Sequence, residues 1–197
     1  MTKITELLLS LNKYSRPGRR LDAQLGLIYH YVGIRHQRPL SVYNYFEKDC
    51  PQMSRYSSAH YCIDQEGTIF RFVPDHEAAY HCGTDNPDPS SKKVYTDWAR
   101  KRFPNYAMNP EKTSPNLCTI GIELCFNGVN GEFTEPTLKA AAELGASLCD
   151  KYKIPFDNIG THHHVVGWKE CPIFWAKHPE EFDRFRNRIT GLVKGRQ

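Results

Sequence analysis

No stretch of the 197-residue chain reaches the roughly 18 consecutive apolar residues of a membrane span. The amino terminus does not read as an export signal either. The Leu7-Leu8-Leu9 run is brief, Glu6 adjoins it, and no small-residue cleavage site follows. The chain is therefore expected to be made and kept in the cytoplasm, with no membrane span. Charge of one sign is also scarce. A formal net charge of +4, from 26 Lys+Arg against 22 Asp+Glu, is too mild for nucleic-acid binding as a default. It is compatible with an anionic polymer as partner. Internal repeats are absent, and 40% hydrophobic with 24% charged residues excludes a disordered chain. The length suits one well-buried core and falls short of two, so a single domain over 1–197 is expected, as a monomer.

Cysteine, by contrast, is plentiful. With no export signal expected, the seven (Cys50, Cys62, Cys82, Cys118, Cys125, Cys149 and Cys171) read as free thiols or ligands rather than as a disulfide framework. Ile4, Leu7, Leu8 and Leu11 recur at helical spacing and predict a short amphipathic helix. Gly26 to Val32 reads as a buried strand, with His30 near its end, and Ser41 can cap a helix through about Asp49. His60 to Ile63 and Thr68 to Val73 form a hairpin around Asp64-Gln65-Glu66-Gly67. Residues 83–117 make a long loop, with a short helical turn near Tyr95 to Phe103, and are a candidate wall for a substrate groove. Cys118 to Phe126 is a central strand that is apolar except at Glu123. A helix over about 135–152, a strand at Asn158 to His162 and a last helix from Pro179 burying Phe182, Phe185, Ile189 and Leu192 follow. Strands alternating with helices around one hairpin imply an α/β protein of mixed type, with a central mixed β-sheet flanked by helices.

The chemistry concentrates in Thr161 to Pro172, where three imidazoles, a lysine and a thiol fall within a dozen residues. Zinc favours imidazole nitrogen and thiolate sulfur, and hydrolytic sites keep three protein ligands with a fourth position open. Cys171 and one of the consecutive histidines supply two ligands, and His30 is the candidate third. If the strand persists, His162 and His164 share one side and His163 the other, so not all three can bind one ion. His162 comes first, at the strand terminus. Glu123, a lone carboxylate in an apolar strand, is either a general base or half of a structural ion pair. Lys169 can stabilise an oxyanion, or else is simply solvated. His81 could hydrogen-bond substrate, and His60 reads as structural.

Together these residues resemble the zinc-dependent N-acetylmuramoyl-L-alanine amidase family, which includes wall-recycling amidases, phage endolysins and peptidoglycan recognition proteins. The matching segments are Leu27-Ile28-Tyr29-His30, Ser58-Ala59-His60-Tyr61 with its hairpin, Tyr80-His81-Cys82-Gly83, Ile120 to Leu124, and Thr161-His162 with Lys169 to Pro172. The resemblance implies one Zn2+ on His30, His162 and Cys171, with Glu123 as base and Lys169 steadying the transition state. It implies hydrolysis of the amide between N-acetylmuramic acid and L-alanine in peptidoglycan or muropeptides, by a lysin, an autolysin or a recycling enzyme. A lysin would act on the wall after release. Two features depart from the family. The His162 to Cys171 spacing is one residue longer than in endolysin-like members, which keeps His163 as an alternative ligand, and Ala59 stands where some relatives use tyrosine. A non-catalytic peptidoglycan-binding module is the alternative.

Overall fold

The computed structural model describes residues 3–84 and 94–195. Its frame is six strands: β1 (Ile4–Glu6), β2 (Gly26–Tyr31), β3 (Tyr61–Ile63), β4 (Ile69–Arg71), β5 (Thr119–Leu124) and β6 (Ile159–Thr161). They form one sheet in the order β1-β4-β3-β5-β2-β6. Only the β3–β4 hairpin pairs antiparallel, and every other neighbour is parallel. Asp64 builds the hairpin turn by accepting the N–H groups of Glu66 and Thr68 at 3.0 and 2.6 Å. Gly67 completes it at φ +85°, where a Cβ would stand 2.7 Å from the Pro136 carbonyl oxygen.

Strand alternation sorts the side chains between two faces. Leu27, Tyr29, Ile120, Ile122 and Leu124 face α5 (Glu135–Tyr152) and α8 (Pro179–Lys194), forming the largest apolar cluster. Each of these fully buried side chains contributes roughly 1.5–3 kcal/mol relative to exposure. Tyr29 satisfies its hydroxyl by donating to the Ala141 carbonyl at 3.1 Å, while its ring meets Phe185 edge-on at 5.0 Å. Gly145 makes room for that hydroxyl, which would lie 2.4 Å from a Cβ.

The opposite face carries Ile28, His30, Gly121 and Glu123. It is covered on one side by α1 (Pro39–Asn44), the π-helical turn Tyr45–Asp49 and α2 (Cys50–Gln52). On the other side lie α3 (Asp97–Arg102), α4 (Pro104–Ala107) and α6 (His162–Val166). A short α7 (Ile173–Lys177) leads into α8. Among the described residues no helix is long and apolar enough to cross a membrane.

Several expectations need correction. The N-terminal segment is not a helix: β1 extends the sheet beside β4, and Leu7 and Leu9 continue the pairing through N–H donation to Arg71 and Phe72 carbonyls at 3.0 and 2.9 Å. Leu9 is buried while Leu11 is 69% exposed, the reverse of the helical pattern. The first helix starts at Pro39, whose ring suits a first helical position, so Ser41 lies inside it and does not cap it. In α8 the fully buried residue of the last turn is Val193, with Leu192 packed at the margin. All seven cysteines are buried and unpaired.

Candidate metal centre

Parallel strands bring their carboxyl ends to one edge of the sheet, and the candidate residues gather there. His30, one residue from the end of β2, is in register with Glu123 of β5, so both side chains stand on the same face. On the other flank of β2, Tyr29 pairs with Thr161, the last residue of β6. The next residue, His162, opens α6 beside His30. Gly167, at φ +78°, reverses the chain after α6, and the Cys171 carbonyl accepts the His163 N–H at 3.0 Å. That bond ties the returning loop to the start of the helix.

The result is a cluster of donors whose ligand atoms lie within 4.8 Å of one another: His30, His162 and Cys171. Nδ1 of His30 is 3.8 Å from Sγ of Cys171, and the His30 and His162 rings stand 5.0 Å apart. All three residues are at most 5% exposed. His163 and His164 go elsewhere. The expectation that His162 and His164 share a side fails because the strand ends at Thr161, and successive helical residues splay around the axis. His163 turns outward, with Nδ1 3.1 Å from the Lys169 carbonyl oxygen. His164 closes a capping box with Thr161 and packs against Trp98 and Phe182.

Buried polar atoms test whether this set fits a cation. Among the described residues, Nδ1 of His162 and Oε2 of Glu123 are buried without a hydrogen-bond partner. Orphaned groups of this kind are costly unless a ligand satisfies them. Burial, with Lys169 nearby, lowers the His162 imidazole to about 3, and burial holds His30 well below its ordinary value, so both offer a neutral lone pair. Burial pushes the Cys171 thiol up to about 12, with Glu123 adding to the rise and Lys169 opposing it. A divalent cation is the compensation that would make it a thiolate. Burial likewise raises the Glu123 carboxyl to about 8 against the pull of Lys169. Two nitrogens, one sulfur and an adjacent carboxylate fit zinc in a hydrolytic rather than a closed structural arrangement.

These groups open into a cavity of about 820 Å³. Among the described residues of the 83–117 segment, expected as a wall, only Gly83 lines it, and residues 85–93 lie outside the described residues. Within residues 94–117, Tyr95, Ala99, Phe103 and Ala107 pack onto the sheet around Ile28. Residues 31–58 form the wall, including Tyr45, Phe46, Met53, Arg55 and Tyr56. Tyr56 is 51% exposed and lies between Tyr14 and Tyr80, 5.2 Å from each, tilted against the first ring and edge-on to the second. The cluster of aromatic residues and a methionine after the first helix was the available signal for this wall. Exposed Lys169 stands at the cavity mouth beside Trp168. His60 is structural: Nε2 lies 2.9 Å from the Glu77 carbonyl, and Nδ1 accepts the Gly121 N–H at 3.0 Å.

A family model described as N-acetylmuramoyl-L-alanine amidase matches residues 22–174, which include every residue of this centre. The chain belongs to the N-acetylmuramoyl-L-alanine amidase family. A probable N-acetylmuramoyl-L-alanine amidase of Bacillus licheniformis is 31% identical over 98% of this chain and 49% of its own length. The chain thus spans about half the length of the curated relatives it matches. Solved structures share the amidase-family fold. The catalytic domain of XlyA aligns with TM-score 0.68 and 20% identity over 95% of this chain and 99% of that one. A mutant endolysin from Bacillus subtilis aligns with TM-score 0.66 and 19% identity over 96% and 99%.

Proposed function

We propose that residues 1–197 form a zinc-dependent amidase catalytic domain that hydrolyses the amide between N-acetylmuramic acid and L-alanine in peptidoglycan or muropeptides. The reading is carried by the donor cluster on the cavity floor, with the free oxygen of Glu123 next to it in register. His30, His162 and Cys171 would hold the zinc, which when bound supplies Lewis acidity to polarise the scissile carbonyl and acidify a water.

The chain's own residues do the rest. Glu123 takes the proton of the attacking water and returns it to the leaving amino group. A carboxyl raised by burial to about 8 is suited to both transfers near neutral pH. Lys169 carries a positive charge to the cavity mouth, where it stabilises negative charge developing on the carbonyl oxygen. The apolar and aromatic wall from residues 31–58 excludes water and orients the substrate.

The deciding experiment incubates the purified protein with purified cell walls and measures newly exposed L-alanine amino groups against new reducing sugars. Amino groups alone should appear, vanish with a chelator and return with zinc. Wall binding without release of amino groups would instead indicate a non-catalytic module. Comparing intact sacculi with soluble muropeptides then tells a lysin or autolysin from a recycling enzyme.

A further inference from the structure

The two histidines of the cluster are held in different ways. Nε2 of His162 faces the Gly83 carbonyl oxygen at 3.3 Å. A carbonyl only accepts, so Nε2 carries the proton and Nδ1 is left bare. Among the described residues, no carbonyl fixes His30 in this way. Its Nε2 lies 3.1 Å from Nδ1 of His81, a side chain only 6% exposed. That contact leaves the tautomer of His30 open until His81 is fixed in turn.

His81 is fixed from behind. Its Nε2 lies 3.3 Å from the Thr119 carbonyl oxygen, which again can only accept. The proton of a neutral His81 therefore sits on Nε2, and Nδ1 offers a lone pair toward His30. His30 must then donate through Nε2, which presents its own Nδ1 to the side where Cys171 Sγ lies 3.8 Å away. The ring of His81 is seated on Gly121, where a Cβ would come within 2.5 Å of it. The thiol of Cys82 also approaches His81 Nδ1, at 3.0 Å, and has Thr119 Oγ1 as a second neighbour at 3.8 Å.

We infer that His81 is a positioning residue for the metal centre: a directed hydrogen-bond chain, His30 Nε2–H to His81 Nδ1 and His81 Nε2–H to the Thr119 carbonyl, selects the ligand tautomer of His30. The inference rests on the zinc reading above and gives His81 a task other than substrate contact. Outer partners that orient a ligating imidazole typically change metal affinity about 10- to 100-fold when removed. The amide of asparagine superimposes its oxygen on the Nδ1 side of histidine, whereas glutamine reaches the Nε2 position.

Zinc affinity, measured by competition with a chromophoric chelator, tests this on the whole chain. His81→Gln should weaken zinc about 10- to 100-fold, and His81→Asn should recover most of the loss. Parental zinc affinity in His81→Gln, with the defect confined to KM, would overturn the inference in favour of substrate contact. Long-range 1H–15N correlation spectra of the unmutated zinc-loaded protein give an answer even if both variants fail to fold. His30 and His81 should both carry their proton on Nε2, and a proton on His81 Nδ1 would refute the chain. An unmutated protein that binds no zinc at all would overturn the metal reading itself.

Discussion

His30 and Glu123 face each other across two adjacent parallel strands, in register and on one side of the sheet. A candidate metal ligand and a candidate base are therefore set at a fixed separation by backbone hydrogen bonds, not by flexible loops. Rigid placement of this kind is what proton transfer at a metal site requires.

Removing the base should separate binding from chemistry. Glu123→Ala is expected to keep the fold and bind zinc near the parental level while turnover on cell walls falls about 10²- to 10⁴-fold. Activity and zinc content measured on the same preparation check this, and undiminished turnover would remove Glu123 from the mechanism.

The ligand set makes a contrasting forecast for neighbouring residues. Cys171→Ser and His162→Ala should lose zinc on dialysis, because each removes one of three donors. His163→Ala should retain it, since that ring faces the Lys169 carbonyl. Cys82, which forms a second close triplet with His30 and His81 but is fully buried away from the cavity lining, should be replaceable by Ala without loss of metal. Zinc-to-protein ratios after gel filtration decide among these outcomes.

The aromatic rim should govern substrate affinity and not chemistry. Tyr56, exposed at the cavity edge between Tyr14 and Tyr80, offers apolar ring surface to a sugar or peptide. Tyr56→Ala is expected to raise KM roughly 2- to 12-fold with kcat nearly unchanged, the equivalent of about 0.5–1.5 kcal/mol. A fall in kcat alone would contradict this placement.

Acid should destabilise the protein as pH falls from 6.5 toward 4. Burial lowers His60 from 6.5 to about 4, so below pH 6.5 the unfolded chain takes up a proton that the folded one resists. The stability this neutral histidine contributes is complete above pH 6.5 and is lost as pH falls toward 4, by at most about 3 kcal/mol. Protonating Nδ1 would also break the bond from the Gly121 N–H. Thermal melts of chelator-treated protein across this range should show a slope that His60→Asn reduces, and an unchanged slope would acquit His60.

Much of the scaffold is legible in the chain itself. Gly26 to Val32, the Asp64 to Gly67 turn, the Glu123 strand and the helix over Glu135–Tyr152 carry periodicities long or regular enough to fix their type. The misread elements are short. Ile4 to Leu11 has helical spacing, but an open sheet edge beside β4 captured its backbone. The strand before His162 ends a residue early, because Thr161 and His164 satisfy each other as a helix cap.

The sequence by itself determined the donor types and the order in which they arrive along the chain, since composition, spacing and local periodicity are properties of neighbours; the family followed from the resemblance of its ordered motifs to known amidases. Tertiary structure decided which of three consecutive histidines meets Cys171, which ring nitrogen each presents, and which segment walls the cavity. His30 and Cys171 are 141 residues apart in the chain and 3.8 Å apart in the fold. Coordination depends on angstroms and on hydrogen-bond direction, and these exist only once strand register and burial have brought distant segments together.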